Sequence, residues 1–574
     1  MLDEKTLREA IKETKLLPAT VLRKATIAAR EKKEALDEYL TGTGIITEDK
    51  LYAAVAQTFN LPFLDISKQQ VRKDILFVIP EALAEAHFIV PFEKSETEIK
   101  LATTNPQNIQ TVEFIKRKTG LAPKVYITTP AAISEILKQY RRSLKAEFEE
   151  ISIVATEEEP EKLRQLAEDL PIIRIVDSLI EHAIFERASD IHIEPGEKEV
   201  YVRYRIDGIL RNVSTFPKIV HPGIIARIKI LSNLQLDEHR LPQDGRIRII
   251  TTEYKYSLRI SIFPTFEGEK VVMRLLPEQA KVVSLEELGL EPKPLSTVKR
   301  NIKRPHGLIL VTGPTGSGKT TTLYSVINIL NTPEVNISTV EDPIEYRMPG
   351  VNQAQVNSKI GFTFASGLRA LLRQDPNIIM VGEIRDQETA DIALNAALTG
   401  HLVLSTLHTN DAVTALPRLT DLGIQPFLVA FTTNLIIAQR LVRKLCQSCK
   451  QEHKLEELER TELSMLFDME KVVKTLIREE VVPKTANPKN LTFYKPTDGG
   501  CANCNKSGYK GRLGIYEVLE ITHGIAQLFN RSANADELRK AAILENMVLL
   551  HEDGFTKAVK GITSLSEVIR VTKE

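Results

Sequence analysis

One octapeptide constrains this chain more than any other stretch: GPTGSGKT, Gly313 to Thr320. The apolar run GLILV precedes it, and TTTLYSVINIL, which reads as a helix, follows. A buried strand, a glycine loop and a helix in that order aim backbone N–H groups and a helix N-terminus at one point, which suits a phosphate group. Glycine lets the backbone come close to such an anion. Gly313, Pro314, Thr315, Gly316, Ser317 and Gly318 are therefore expected to cradle ATP. Lys319 is expected to neutralise the β- and γ-phosphates, and Thr320 to hold Mg2+.

From about Glu286 onward, apolar strand-like runs alternate with helix-like ones. That is the pattern of a mostly parallel α/β sheet. NIIMVGEIRD, Asn377 to Asp386, reads as a buried strand with Glu383 at its C-terminal end, where open α/β sheets bind ligands. STVEDPIEY supplies Glu341, Asp342 and Glu345, one of which is expected to orient an attacking water as general base. GHLVLSTLHTND brackets a strand with His401 and His408, placed to sense a γ-phosphate or to relay a subunit contact.

Lys+Arg and Asp+Glu both number 76, so the 574-residue chain is formally neutral. That argues against a protein dominated by non-specific nucleic-acid binding. The N-terminus, MLDEKTLREAIKE, has no apolar core of a signal peptide. The longest apolar stretch, Pro426 to Ala438, is too short and interrupted to span a bilayer. A cytosolic setting follows as the expectation, and there thiols stay reduced. The four cysteines form two C-x2-C pairs, Cys446 with Cys449 and Cys501 with Cys504. Two such pairs can give four thiolates to one tetrahedral Zn2+. A redox pair would need a thioredoxin-like βαβ context, and RLVRKLCQSC offers only a basic helix end. The expected site is structural, because four thiolates leave no open coordination position.

Taken together, these stretches resemble the secretion ATPase superfamily of type II secretion and type IV pilus systems. GPTGSGKT is similar to its Walker A, STVEDPIEY to its Asp box, IIMVGEIRD to its Walker B and GHLVLSTLHTND to its His box, in the family's order. Upstream, ASDIHIEP, VRYRIDG and RLPQDGRI resemble elements of the family's PAS-like N2 domain. The resemblance implies a multidomain α/β chain. A helical α+β N1 domain is expected over 1–140, a charged linker over 141–168 and a PAS-like α+β N2 domain over 169–280. A RecA-like P-loop ATPase domain is expected over 281–574, including a tetracysteine zinc module over 444–510.

The resemblance also implies roles. Glu345 is the implied catalytic carboxylate, Glu383 the Walker B acid, and His401 and His408 the His-box pair. His408 joins the catalytic set, while Glu341, Asp342 and His401 lie with the nucleotide-binding residues. Arg205, Arg240 and Arg246 are candidates for clamping phosphate, work that suits a planar, permanently charged guanidinium. Family members work as ring hexamers with ATP between the N2 and RecA-like domains. Their motion turns a membrane platform protein that feeds pilin-like subunits into a filament. A cytoplasmic hexameric motor is thus expected at the inner face of the cytoplasmic membrane, bound there through partners, with ATP, Mg2+ and Zn2+ as cofactors and no nucleic acid.

Some relatives bind cyclic di-GMP on the N1 domain through an Arg-Leu-Gly signature. The corresponding triplet here is Ala35-Leu36-Asp37, which lacks the arginine and sets a repelling carboxylate beside any phosphate. Docking to a platform or inner-membrane partner is the expected use of this domain. The competing readings are a retraction ATPase, a DNA-uptake motor, and a nucleotide-binding scaffold without turnover.

Overall fold

The computed structural model describes residues 4–573 apart from 33, 80, 152–166, 168–169, 252–254, 278–281, 502–503 and 505. The chain divides into two compact units, Met1–Glu278 and Gln279–Glu574.

The first unit begins with short helices and a three-stranded sheet, β1 (Ile89–Lys94), β2 (Glu98–Thr103) and β3 (Ala122–Ile127). β2 pairs antiparallel with β1 and parallel with β3. Tyr140, on the helix Pro130–Ile151, donates its hydroxyl to Leu76 O and Ile79 O from within the core. That helix runs past the expected domain end at 140. Residues 141–151, RRSLKAEFEEI, contain neither Gly nor Pro and favour continuation. The acidic run Glu157–Glu159, expected as linker, lies outside the described residues. Asp37, in the triplet that replaces Arg-Leu-Gly, opens the helix Leu36–Gly42. It is buried, and Tyr52 donates its hydroxyl to Asp37 Oδ2 at 3.1 Å.

The second part of this unit is a six-stranded sheet of β4 (Asp190–Pro195), β5 (Glu199–Ile206), β6 (Ile209–Pro217), β7 (Gln243–Ile250), β8 (Lys255–Thr265) and β9 (Gly268–Pro277). All neighbours are antiparallel, in the order β6-β5-β4-β9-β8-β7. Period-two alternation sets Val200, Val202 and Tyr204 of β5, Leu258, Ile260 and Ile262 of β8, and Val271, Met273 and Leu275 of β9 in one core. The helices Leu170–Phe185 and His221–Leu231 supply apolar residues to that core. Tyr204 donates its hydroxyl to Leu179 O at 2.6 Å, fixing the first helix to the sheet.

The second unit is built on seven strands: β10 (Gly307–Thr312), β11 (Ile337–Glu341), β12 (Val351–Gln355), β13 (Ile378–Val381), β14 (Leu402–Leu407), β15 (Thr433–Leu445) and, after the small pair β16 (Gln451–Lys454) and β17 (Thr492–Lys495), β18 (Tyr509–Glu520). Their order is β12-β11-β13-β14-β10-β15-β18, parallel except for β18 against β15. β10, β13 and β14 are buried throughout because both sheet faces are covered. Leu308, Leu310, Val381 and Val403 enter one core, and Ile309, Val311, Met380 and Leu404 the other. Each such side chain contributes about 1.5–3 kcal/mol by leaving water. The alternating α/β pattern expected from Glu286 is present. Among the described residues no helix is long and apolar enough to cross a membrane.

The C-terminal helix Leu565–Thr572 is tied to β15 by Glu567. Arg443 donates to it through Nη2 at 2.7 Å and through its backbone N–H at 3.0 Å, and Arg570 Nη2 lies at 2.8 Å. Burial alone would raise this carboxyl, but the hydrogen bonds from Arg570 and Arg443 outweigh it and hold it at about 2. A depressed folded value means the tether stabilises fully above the unfolded carboxyl range and is lost as pH falls towards 2. Glu567→Gln should therefore melt below wild type at pH 7, with the gap narrowing at pH 3 in thermal scans.

Candidate functional site

The glycine loop joins the C-terminal end of β10 to the helix Lys319–Leu330. Gly313, Gly316 and Gly318 have φ of 146°, 78° and 89°, a region that side chains avoid. A Cβ on Gly313 would lie 2.5 Å from Gln439 O, so only glycine fits. Gln439 of β15 shapes the loop from below. Its Nε2 donates to Ser317 O at 2.8 Å, and its Oε1 accepts from Thr322 Oγ1 at 2.7 Å. Lys319 Nζ spans the loop, donating to Gly313 O at 2.9 Å and Pro314 O at 3.1 Å. Burial lowers the Lys319 pKa, opposed by the Glu383 charge. Ser317 Oγ is buried in the cradle and has no hydrogen-bond partner among the described residues, as befits a loop shaped for a ligand. Thr320, next to Lys319, is half-buried.

Glu383 lies just beyond β13, with its side chain 13% exposed. Arg385 pairs with its Oε1, and His408 Nε2 is 3.4 Å from its Oε2. Its charge also acts on Lys319, so loop, acid and histidine belong to one locus. Thr406 Oγ1 donates to Gly382 O at 2.8 Å and sets the strand ends level. The acidic turn follows β11. Asp342 is exposed and Glu345 half-buried. Glu341 is different. It is buried, and its oxygens accept from Tyr324 OH, Thr339 Oγ1 and Gln353 Nε2. Burial raises its pKa. A place among the nucleotide-binding residues does not fit a carboxylate already engaged by three donors of its own fold.

The two histidines part company. β14 runs parallel to β10, with Leu402 opposite Gly307 and Leu407 opposite Thr312. His408 therefore emerges beside the glycine loop. His401 sits at the other end of the strand, about 20 Å away at 3.3 Å per residue. Its Nδ1 lies 3.0 Å from Ala396 O. Within one chain the structure does not bring His401 to the nucleotide loop, because the two residues flank a single extended segment.

In the first unit, Arg205 and Arg246 share one cross-strand row. Arg205 faces Asp190, Asp190 faces Arg274, Arg274 faces Arg259, and Arg259 faces Arg246. Directly paired residues point to the same face of a sheet. Arg274 Nε donates to Asp190 Oδ1 at 2.9 Å, and Arg205 Nε lies 3.5 Å from Asp190 Oδ2. Arg259 and Arg274 carry no motif and were not legible; the strand register reveals them. Asp190 thus sits between Arg205 and Arg274 and balances part of the row's charge. Arg240 is outside the row, on the loop before β7, with its side chain 90% exposed.

The four cysteines converge. Their sulfur atoms all lie within 4.8 Å of one another, with Cys446–Cys501 at 3.7 Å, Cys449–Cys504 at 3.8 Å and Cys501–Cys504 at 3.7 Å. A tetrahedral zinc with Zn–S bonds of about 2.3 Å requires edges of about 3.8 Å. Burial and the neighbouring thiols push Cys501 up to about 11 and Cys449 further still. A zinc ion there would hold all four as thiolates.

A glycine loop ending in Lys-Thr on a parallel sheet, with an acid at the end of β13, separated from β10 by β14 alone, defines a P-loop nucleotide-binding core. The chain belongs to the type II/IV secretion system protein family, whose model matches residues 165–570. An MshEN domain model matches residues 59–147. The type IV pilus assembly ATPase PilB of Myxococcus xanthus is 40% identical over 574 residues, covering 98% of each chain. The type II secretion system ATPase E of Vibrio cholerae is 45% identical over 414 residues, covering 72% of this chain and 78% of the relative. The ATPase DotB of Legionella pneumophila shares the fold at 21% identity, with a TM-score of 0.50 over 69% of this chain and 95% of that one.

Gln439→Leu keeps the volume but removes two hydrogen bonds, each worth about 1 kcal/mol. ATP affinity should fall on the order of 10-fold to 30-fold in a fluorescent-nucleotide titration, with the fold intact. Metal analysis should find one zinc per chain, absent from Cys446→Ser; a folded, zinc-free wild type would count against the site.

Proposed function

We propose that this chain is the ATP-hydrolysing motor of type IV pilus assembly. Coverage carries this reading. The pilus assembly ATPase of Myxococcus xanthus aligns with 98% of the chain, against 72% for the Vibrio cholerae secretion ATPase. Type II secretion is the second reading, favoured by the 45% identity within the shared part.

The loop geometry and the family resemblance support the following roles. Backbone N–H groups of Thr315–Thr320 and the helix N-terminus cradle the phosphates, and Lys319 turns from the loop carbonyls to the β- and γ-oxygens. Thr320 and Glu383 offer the hard oxygen donors that suit Mg2+. When bound, that ion supplies charge neutralisation between the phosphates. Glu345 orients the attacking water as general base, and Asp342 adds negative charge to the acidic turn. His408, beside Glu383, reads the state of that carboxylate and passes it to the surface. Arg205, Arg240 and Arg246 remain the candidates for clamping phosphate, work that suits a planar, permanently charged guanidinium. Work is extracted by closing on ATP and opening after hydrolysis in a hexameric ring, which turns a platform protein in the inner membrane. Zinc on the four cysteines is structural.

Lys319→Ala should abolish ATP turnover in a phosphate-release assay while preserving the melting profile; full turnover would refute the motor. Glu345→Gln should bind nucleotide normally and lose on the order of 100-fold or more in kcat. Deleting the gene in its host should remove surface pili and leave secreted enzymes in the medium. The reverse outcome assigns the chain to secretion.

A further inference from the structure

The turn that carries Glu345 is held by the side chains of Tyr324 and Gln353, which meet at the buried Glu341. Tyr324 lies on the helix that starts at Lys319, and Glu341 closes β11. Gln353 lies on the edge strand β12. Tyr324 donates its hydroxyl to Glu341 Oε2. The same hydroxyl oxygen accepts from the Glu345 backbone N–H at 3.4 Å and from Gln353 Nε2 at 3.3 Å. Gln353 grips the turn twice more. Its Nε2 donates to Tyr346 O at 3.2 Å, and its Oε1 accepts from the Met348 N–H at 2.8 Å. The Tyr324 and Tyr346 rings meet edge to face with centroids 4.7 Å apart.

Four attachments therefore fix residues 345–348, and three of them involve only Tyr324 and Gln353 side-chain polar atoms. The helix that begins with Lys319 and Thr320 is thereby joined to the turn bearing the base. We propose that Tyr324, Glu341 and Gln353 are positioning residues that set Glu345 at its working distance from the nucleotide held by that helix. This rests on Glu345 acting as the general base. Glu341 anchors the assembly, since its buried carboxylate orients both the phenol and the amide. Burial and the Glu341 charge push the Tyr324 phenol well above its usual range, so it remains a donor wherever the enzyme works.

Tyr324→Phe keeps the ring against Tyr346 and removes only the hydroxyl. Its kcat should fall on the order of 10-fold to 100-fold, because small misplacements of a reacting group cost that much. KM for ATP and nucleotide affinity should stay within about 2-fold. In a Glu345→Gln background the same change should have no further effect on the residual rate, since both act through one group. A purely structural network would lower the melting temperature and leave kcat unchanged, which overturns the proposal. An additive loss in the double variant overturns it as well. If Glu345→Gln retains turnover, the base assignment fails; if it abolishes turnover while Tyr324→Phe is fully active, only the positioning role fails. Gln353→Met, at the sheet edge, carries the same kinetic test should Tyr324→Phe fold poorly.

Discussion

The amide of Gln439 is the contact on which the nucleotide site depends. A glycine loop of six residues has no shape of its own, since glycine loses more conformational freedom on folding than any other residue. Gln439 holds the loop carbonyl of Ser317 with one end of its amide and the helix hydroxyl of Thr322 with the other. It can do so because β15 runs parallel to β10, placing Ala438 opposite Thr312 at the loop's root. The loop is thus preorganised by a strand well over a hundred residues later in the chain. Lys319 completes the closure by bridging the loop carbonyls.

Much of this was readable from sequence, and the reasons for the rest are physical. The glycine loop, Glu383 and the cysteine pairs announce themselves because their chemistry depends on local spacing. The parallel sheet was legible because its strands are buried on both faces and apolar throughout. Gln439 was not legible: a glutamine in an apolar run says nothing until its strand neighbour is known. The arginine row is a property of register across five strands, and only Arg205 and Arg246 lay in recognisable stretches. His401 and Glu341 show the converse. Each stands in a motif, yet strand direction carries His401 to the far end of the sheet, and three donors hold Glu341 inside the fold.

The acids around the site divide by environment. Glu383 is paired with an arginine and lies near a histidine. Glu341 is buried among neutral donors, where burial raises its pKa. Glu345, like Glu383, is half-buried. These carboxylates thus sit in unlike environments, because desolvation and hydrogen bonding act on each separately.

β15 and β18 form a long antiparallel ribbon, and the cysteine pairs close its open end. Cys446 follows β15 directly, and Cys504 precedes β18 by a few residues. Gln439 lies further back along the same ribbon, opposite Tyr516. Side chains alternate along a strand, so a slip of one residue would turn Gln439 from the loop to the opposite face. A metal bound by four thiolates would forbid that slip. It would act as a clasp on the ribbon's register, so that a site far from the phosphates determines which way the glutamine beneath them points.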